Sequence, residues 1–453
     1  MPPATTNTLK PQSTVPAPVP CPEWFAEAPR HDEPAAADAW PEWYQTLRAD
    51  AWHNFLETPA PARTDENWRF ANLGLIQLKN LAVAAPAADP ERIAARSAER
   101  GLKTVAARFV FANNRLVHAD TGGLPDGLTC LPIGEAIATR GDLVRSHFMR
   151  EQARLGGGKF AALHGSATLS GVFIHAAKGV VLDRPIEISH WAEGEGTTVF
   201  PHTLVIAEAG ASLSVVERFR SLNPGDATLS VGVVDLAAED AGAIQYTAIQ
   251  NWNDHSRHVQ LNGTRVGRDG RAKSCFVNLG GRWVRNESVS RLTAPGADSR
   301  MLSANLADGD QEFDQRTLQL HEAGHTTSDL LYKNALYDRA RTIFSGLIQV
   351  CPGAHHTDAY QSCRNILGSD EAEANSMPGL EIDADQVKCS HGSTSSPIDD
   401  EEIFYFLARG IPPKKAREMI GQGFLNGAIE HLDGEELHEA IAERFEERFA
   451  VLA

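Results

Sequence analysis

The sequence lacks several features that mark large classes of proteins. No stretch of about 18 consecutive apolar residues occurs, so no transmembrane helix is expected. The first twenty residues contain no apolar signal core, so we expect no secretion. Basic residues are outnumbered by acidic ones, and the formal net charge of −17 disfavours nucleic acid and anionic membranes as partners. These absences favour a soluble protein of the cytoplasm.

Cysteine is also scarce. The 453 residues contain six cysteines, and no two of them form a CxxC pair. Such sparse thiols are typical of a reduced cytosolic protein rather than of a disulfide framework.

The composition and the hydrophobic pattern of the sequence change along the chain. Residues 1–21 are rich in Pro, Thr and Ala and predict a disordered tail, and residues 22–165 predict a mainly helical region. Residues 166–395 consist of short alternating runs, separated by glycine-containing turns at intervals of 26 to 32 residues. Residues 396–453 predict a helical module, with Asp399 as an N-cap and Pro412-Pro413 opening a second helix.

The turn spacing indicates the fold class. A repeat of this length without intervening helices indicates a β-solenoid, in which stacked coils share one continuous core. A large β-sandwich would also give many short strands, but its hairpins would be shorter and less regular. We therefore predict a mainly β protein with a parallel β-helix core flanked by N-terminal and C-terminal α-helical regions. The last coil is expected to have open edges that must be capped or paired with another chain.

The segment Glu381–Gly392 contains the first candidate site. Cys389 and His391 are two residues apart, so in a strand they point to the same face. A thiol and an imidazole side by side suit iron, zinc or sulfur chemistry. A buried cysteine beside an exposed histidine is the alternative. Cys363 lies on an earlier coil and would come close to this pair if the coils stack.

Two other motifs resemble known sites. The run His321-Glu322-Ala323-Gly324-His325 fits the zinc-hydrolase pattern H-E-x-x-H, which requires a helix. The preceding residues alternate like a strand and Gly324 falls on the turn period, so this reading is disfavoured. The run Gly156-Gly157-Gly158-Lys159 lacks the spacing of a phosphate-binding loop and is interpreted as a flexible joint.

Several blocks, in order along the chain, resemble the SufD group of the SufB/SufD family, which belongs to the Suf system of iron–sulfur cluster assembly. The blocks cover roughly residues 40 to 430. They are Asp65–Phe70, Leu331–Asn334, Arg341–Gly346, Leu380–Ile382, Val387–Thr394, Ile403–Leu407 and Arg409–Pro412.

The resemblance implies a right-handed parallel β-helix and a non-catalytic scaffold role. It implies pairing with SufB through the β-helix ends and docking of the ATPase SufC on the C-terminal helical module. It also implies a transient iron–sulfur cluster or iron at the SufB interface, with His391 as the metal ligand and Cys389 in support. ATP is not expected on this chain, whereas a reduced flavin in the complex and a homodimer without SufB stay open.

Two details bear on the choice between SufD and SufB. SufB carries a sulfur-accepting cysteine after a region resembling Gln250-Asn251-Trp252, but no cysteine follows here until Cys275. Cys363 stands where SufD often has a polar amide and SufB has a cysteine. The first detail favours SufD, and the second makes Cys363 a hypothetical extra ligand. A SufB-like subunit is the nearer alternative, and a zinc hydrolase using His321, Glu322 and His325 is the more distant one.

Overall fold

The computed structural model describes residues 40–76, 81–151, 154–168 and 170–452. The predicted tail at residues 1–21, with Cys21, lies outside the described residues. The described helices are α1 Glu42–Glu57, α2 Pro90–Arg100, α3 Ile133–Thr139, α4 Gly141–His147, α5 Gly158–Ala167, α6 Asp400–Leu407, α7 Pro413–Ile429 and α8 Glu435–Val451. Short 3-10 turns occupy Glu66–Trp68 and Leu73–Leu75.

The strands form two facing sheets. Sheet A contains β1 Ala82–Val83, β4 Leu128–Pro132, β5 Ser170–Ala176, β7 Thr197–Val199, β8 Pro201–Ala207, β10 Leu229–Ala238, β12 Arg257–Val266, β14 Trp283–Leu292, β16 Glu312–His321, β18 Arg341–Val350 and β20 Glu373–Ile382. Sheet B contains β2 Ala107–Ala112, β3 Arg115–Asp120, β6 Ile186–Ala192, β9 Ser212–Ser221, β11 Ala243–Asn251, β13 Arg271–Asn278, β15 Asp298–Ala307, β17 Thr327–Leu336, β19 Asp358–Leu367 and β21 Lys388–Pro397.

The chain alternates between the sheets, and each strand from β8 onward pairs in parallel with the strand two places later. This arrangement is a parallel β-solenoid with helices at both ends. The predicted mainly β fold class is therefore confirmed. Strands β2, β3 and β4 fall within residues 22–165, the region predicted to be mainly helical, and the predicted domain boundaries remain predictions.

The two ends of the solenoid differ. At the N-terminal end, β3 pairs antiparallel with β2, and β4 pairs antiparallel with β5. Asn113 and Asn114 form the β2–β3 turn with φ values of 48° and 66°, as a two-residue hairpin turn requires. At the C-terminal end the strand order stops at β20 in sheet A and at β21 in sheet B. One end is thus covered by antiparallel strands, and the other presents two strand edges.

Helices cover the outer faces of both sheets. On sheet A, Trp68 of the Asp65–Phe70 block lies over the guanidinium of Arg285, 3.6 Å from the ring centroid, and stacks on Trp283. On sheet B, α7 and α8 pack against outward-facing residues such as Cys275 and Leu302. None of the helices that the structure describes is long and apolar enough to cross a membrane.

The predicted turns lie at one corner of the coils, but glycine has two different roles there. Gly296 adopts φ of 79°, the left-handed conformation expected of glycine in a turn. At the next coil, the left-handed residue is His325, with φ of 57°, beside Gly324. A Cβ on Gly324 would lie 2.7 Å from the carbonyl oxygen of His355, so this glycine permits close contact between coils.

A ladder of asparagine side chains runs through the interior of sheet B. Asn278 donates to Asn305 at 2.6 Å, Asn305 to Asn334 at 2.8 Å, and Asn334 to Asn365 at 2.7 Å. Asn365 donates in turn to the hydroxyl of Ser395 on the last strand, at 3.0 Å. Each rung satisfies a buried amide that would otherwise carry a desolvation cost.

Replacement of Asn334 by alanine should destabilise the solenoid. It removes the hydrogen bonds that Asn334 makes with Asn305, Asn365 and Gln315 inside the solenoid, so the free energy of unfolding in urea should fall by about 2–4 kcal/mol. The control is Asn375→Ala on the outer face of β20, which should change stability by no more than about 0.5 kcal/mol. Equal stability of the two variants would contradict a structural role for the ladder.

Candidate functional site

The last strand of sheet B carries the candidate site. In the β19–β21 register, Cys389 lies opposite Ala359, His391 opposite Gln361, and Ser393 opposite Cys363. The three β19 residues are buried, whereas Tyr360 between them is exposed, so they face the interior, which we call the lumen. Paired residues on parallel strands share a face, so Cys389 and His391 point into the end of the lumen. We call this end the mouth.

His391 is an exposed side chain at the mouth. It is exposed because β21 ends the strand order of sheet B. No hydrogen bond to its ring is found among the described residues. A neutral imidazole in this position can donate a nitrogen lone pair to a metal ion that approaches the mouth.

Cys389 is half-buried beside His391. Burial raises the pKa of its thiol, and the nearby Asp358 carboxylate raises it further. The thiol is therefore protonated at neutral pH and becomes a ligand only when a metal displaces the proton. The side chain packs against the apolar cluster that contains Ile348 and Ala359.

Cys363 lies one strand deeper in the lumen and is 1% exposed. Burial raises the pKa of its thiol to about 12. The Ser376 hydroxyl and the Asn334 amide donate to its sulfur, each at 3.7 Å, and the thiol donates to Asn365 at 3.8 Å. Two donors directed at the sulfur would stabilise a thiolate once a metal removed the proton.

The three predicted residues share one face without forming a closed metal site. Strand spacing puts the Cα atoms of Cys389 and His391 roughly 7 Å apart, and those of His391 and Cys363 roughly 8 Å apart. Within the described ranges, no group of three His, Cys, Asp or Glu side chains is placed to hold a metal ion. The chain therefore offers ligands at the mouth, and a complete coordination shell needs further ligands.

The H-E-x-x-H run does not form a zinc site. His321 ends strand β16 and the following residues form a turn, so the required helix is missing. The ring of His321 is buried, and its nitrogens contact the hydroxyls of Thr326 at 2.7 Å and Ser328 at 2.8 Å. His325 is exposed and its ring stacks on His356. The structure thus directs the two histidines to different surroundings.

The glycine run before α5 is packed, so its interpretation as a flexible joint is wrong. The backbone N–H of Gly157 donates to Glu287 at 3.0 Å. Lys159 is buried, and its ammonium donates to the carbonyl oxygens of Phe55 and Thr58, each at 2.5 Å. The lysine therefore holds the end of α1 and is not available to a phosphate.

Sequence reasoning missed the polar residues around Cys363. Asn334, Asn365 and Ser376 were not identified, although all three contact its sulfur. One signal was available, because asparagines recur at positions 278, 305, 334 and 365, at about the coil period. Ser376 gave no such signal, since it reaches Cys363 from the opposite sheet.

Fold and site together describe a parallel β-solenoid protein with thiol and imidazole groups at an open strand edge. A family model described as "SUF system FeS cluster assembly, SufBD core domain" matches residues 190–424. The chain belongs to this family of iron–sulfur cluster assembly proteins.

Two relatives that align over most of the chain are both named iron–sulfur cluster assembly protein SufD. The protein from Escherichia coli is 29% identical over 434 residues, which cover 92% of this chain and 98% of the relative. The protein from Bacillus subtilis is 25% identical over 411 residues, 89% of this chain and 92% of the relative. A SufBD family protein of Mycobacterium tuberculosis is 28% identical over 316 residues, 67% of this chain and 78% of the relative. The resemblance predicted from the sequence blocks is confirmed.

Buried His321 makes stability depend on pH. Burial lowers the pKa of its imidazole to about 4, below the ordinary value of about 6.5 that it regains on unfolding. The unfolded chain therefore binds the proton more tightly than the folded chain. As a result, the free energy of unfolding decreases as pH falls from about 6.5 to 4, by about 3 kcal/mol in all.

The measurement is urea unfolding at pH 7 and pH 4.5. We expect His321→Gln to lose less stability than the wild-type protein between these values. The control is His355→Gln, at an exposed turn position, which should keep the wild-type slope. An acid slope in His321→Gln as steep as in the wild type would show that this histidine is not the buried neutral group.

Proposed function

We propose that this chain is a non-catalytic, SufD-like scaffold subunit that pairs with a SufB-type subunit in the cytoplasm. Iron or a nascent iron–sulfur cluster would be held between the two chains. The observation that carries the proposal is the position of His391, on the lumenal face of a strand at an open sheet edge. The five described cysteines are free thiols, which suits a reducing compartment.

The open edges support pairing with another chain. Strand edges carry unpaired backbone N–H and C=O groups that add a further strand readily. Strand β21 contains mostly small polar residues, with Lys388 at its first position as its one charged side chain. It therefore lacks the row of lysines by which proteins discourage edge pairing. Repeat folds need a cap at each end, and here the antiparallel strands β3 and β4 cap the other end.

The donor set supports binding of iron. His391 offers a nitrogen and Cys389 a sulfur on one face, and Cys363 offers a second sulfur deeper in the lumen. Iron–sulfur clusters take about four protein ligands, most of them thiolates. The site on this chain is incomplete by that standard, so the SufB-type partner would supply the remaining ligands. Binding would release the thiol proton of Cys389.

Helix α6 supports docking of a SufC-type ATPase. Phe404 is 70% exposed, and Tyr405 and Leu407 on the same short helix are exposed as well. The side chain of Arg409 lies over the Tyr405 ring, 3.4 Å from its centroid. Large exposed side chains grouped on one helix mark interaction surfaces. We assign ATP hydrolysis to this partner and not to the present chain.

Replacement of His391 by alanine tests the cluster site. The chain should be co-expressed with its SufB-type and SufC-type partners and purified without oxygen. The complex should still assemble, but its iron and sulfide content should fall roughly tenfold, because a metal ligand is missing. Cys363→Ser should lower the content as well if the deeper thiol is a ligand.

The matched control is His355→Ala, at an exposed turn outside the lumen, which should retain iron and sulfide. If His391→Ala holds as much iron and sulfide as wild type, the site assignment is wrong even though the family is right. If the wild-type chain fails to form a complex, the proposed pairing itself is wrong.

Replacement of Phe404 by aspartate tests the ATPase surface. Because the side chain is exposed, stability should change by no more than about 0.5 kcal/mol. Affinity for the SufC-type partner should fall roughly 30-fold, the loss expected of an aromatic anchor worth about 2 kcal/mol. Titration calorimetry measures this affinity. The control is Val451→Asp on α8, also 70% exposed, which should bind as wild type does. Equal affinities for the two variants would place the surface elsewhere.

A further inference from the structure

The lumen changes character along the solenoid axis. Near the N-terminal end it is filled mainly by apolar side chains such as Ile188, Val205 and Val215, beside the buried pair His190 and Glu217. From β12 to β19 amides and hydroxyls occupy many lumenal positions, among apolar side chains that include Met301, Leu330, Tyr332 and Phe344. Contacts between the two sheets show that these groups face inward, for example Ser290 with Ser299 at 2.6 Å.

Six buried oxygen atoms in this polar half have no hydrogen-bond partner in the described part of the chain. They are Gln260 Oε1, Asn286 Oδ1, Gln315 Oε1, Thr317 Oγ1, Gln319 Oε1 and Gln361 Oε1. The residues that carry them are all at most 4% exposed. A buried acceptor without a partner costs free energy, and native proteins satisfy nearly all such atoms.

The matching amide nitrogens are already used. The Gln315 Nε2 atom donates across the lumen to Asn334 at 2.9 Å, and the Gln319 Nε2 atom donates to Ser328 at 2.7 Å. Gln361 donates from sheet B to the carbonyl oxygens of Gly346 and Gly379 in sheet A. The unused groups are therefore mainly acceptors, and they require a hydrogen-bond donor.

Glycine at position 346 brings two of these acceptors together. A Cβ on Gly346 would lie 2.4 Å from Gln361 Oε1, 2.6 Å from Phe344 Cζ and 2.9 Å from Thr317 Oγ1. Any larger residue would displace these three groups. The two oxygens are thus close enough for one donor molecule to bridge them from the side that the Phe344 ring leaves open.

Water fits this lining better than an ion does. The lumenal positions of β12 to β19 carry no carboxylate and no Lys or Arg, so a bare divalent cation would find no countercharge. An anion would meet acceptor oxygens. A neutral donor such as water satisfies several acceptors at once, and buried waters occupy sites of this kind.

We propose that the lumen from β12 to the mouth encloses a file of bound water that hydrogen-bonds these oxygens and reaches Cys363. This goes beyond the scaffold function. Only one consequence rests on that function: the file gives the buried thiol of Cys363 a path along which its proton leaves when a metal binds.

Exchange of thiol protons for deuterium tests whether a continuous file of water reaches the buried thiols of the lumen. Infrared spectra recorded after transfer to D₂O follow the S–H stretch, and Cys→Ser variants assign each band. Cys275 is the reference thiol, which the proposed water does not reach. It is as buried as Cys363, and burial raises the pKa of each thiol to about 12. It lies outside the lumen, in the apolar layer under α7 and α8. A second thiol, introduced as Ser303→Cys, reports on the lumen further from the mouth. Position 303 is in register with Cys363 and lies two coils deeper in the solenoid.

We expect the thiols at positions 363 and 303 to exchange roughly tenfold faster than Cys275, since their exchange needs no local opening. If both exchange as slowly as Cys275, the lumen is dry and the proposal is wrong. If position 363 alone exchanges quickly, water enters only at the mouth, and the continuous file is likewise contradicted.

Thr317→Val gives an independent test in the full-length chain. In a dry lumen, removal of an unpartnered hydroxyl leaves the urea midpoint unchanged or raises it. In a hydrated lumen the bound water loses a partner, so the midpoint falls, as we predict. Thr326→Val removes a hydroxyl that is paired with His321, and its midpoint should fall in either case, which shows that the measurement is sensitive.

Discussion

Parallel pairing between successive coils is the interaction on which the rest of this structure depends. Each coil satisfies the backbone of the coil before it and leaves its own outer edge for the next one. Antiparallel strands β3 and β4 stop this series at one end. At the other end the series stops at β20 and β21 with their edges unpaired by further strands of the described chain. The candidate site exists because Cys389 and His391 lie on the last member of this series.

The same pairing divides the molecule into surfaces with different chemistry. Residues alternate between the lumen and the outer faces, and the outer faces are covered by N-terminal helices on sheet A and C-terminal helices on sheet B. Cys275 and Cys363 show the consequence. Burial gives the two thiols similarly raised pKa values, and both touch apolar side chains. Only Cys363 also has polar contacts, with Asn334, Asn365 and Ser376. Orientation on the strand, rather than depth of burial, thus decides whether a thiol of sheet B faces the lumen or the helices outside it.

Much of the fold was predictable because it is periodic. The coil spacing and the Asp399 cap are local signals, and the structure contains both. The shared face of Cys389 and His391 follows from strand geometry alone. The contact of Ser376 with Cys363 could not be predicted, because it joins different sheets and depends on how they face. The packing of the Gly156–Lys159 run also escaped prediction, since its partners lie far away in the sequence.

We propose that a partner chain and the cluster meet at the open end of the solenoid. Hydrogen–deuterium exchange of backbone amides, with and without the SufB-type partner, tests this proposal most directly. We expect slower exchange across Glu373–Ile382 and Lys388–Pro397 when the partner is bound, while Arg115–Asp120 at the capped end exchanges as before. Unchanged exchange in the two last strands of a complex that has formed would contradict it.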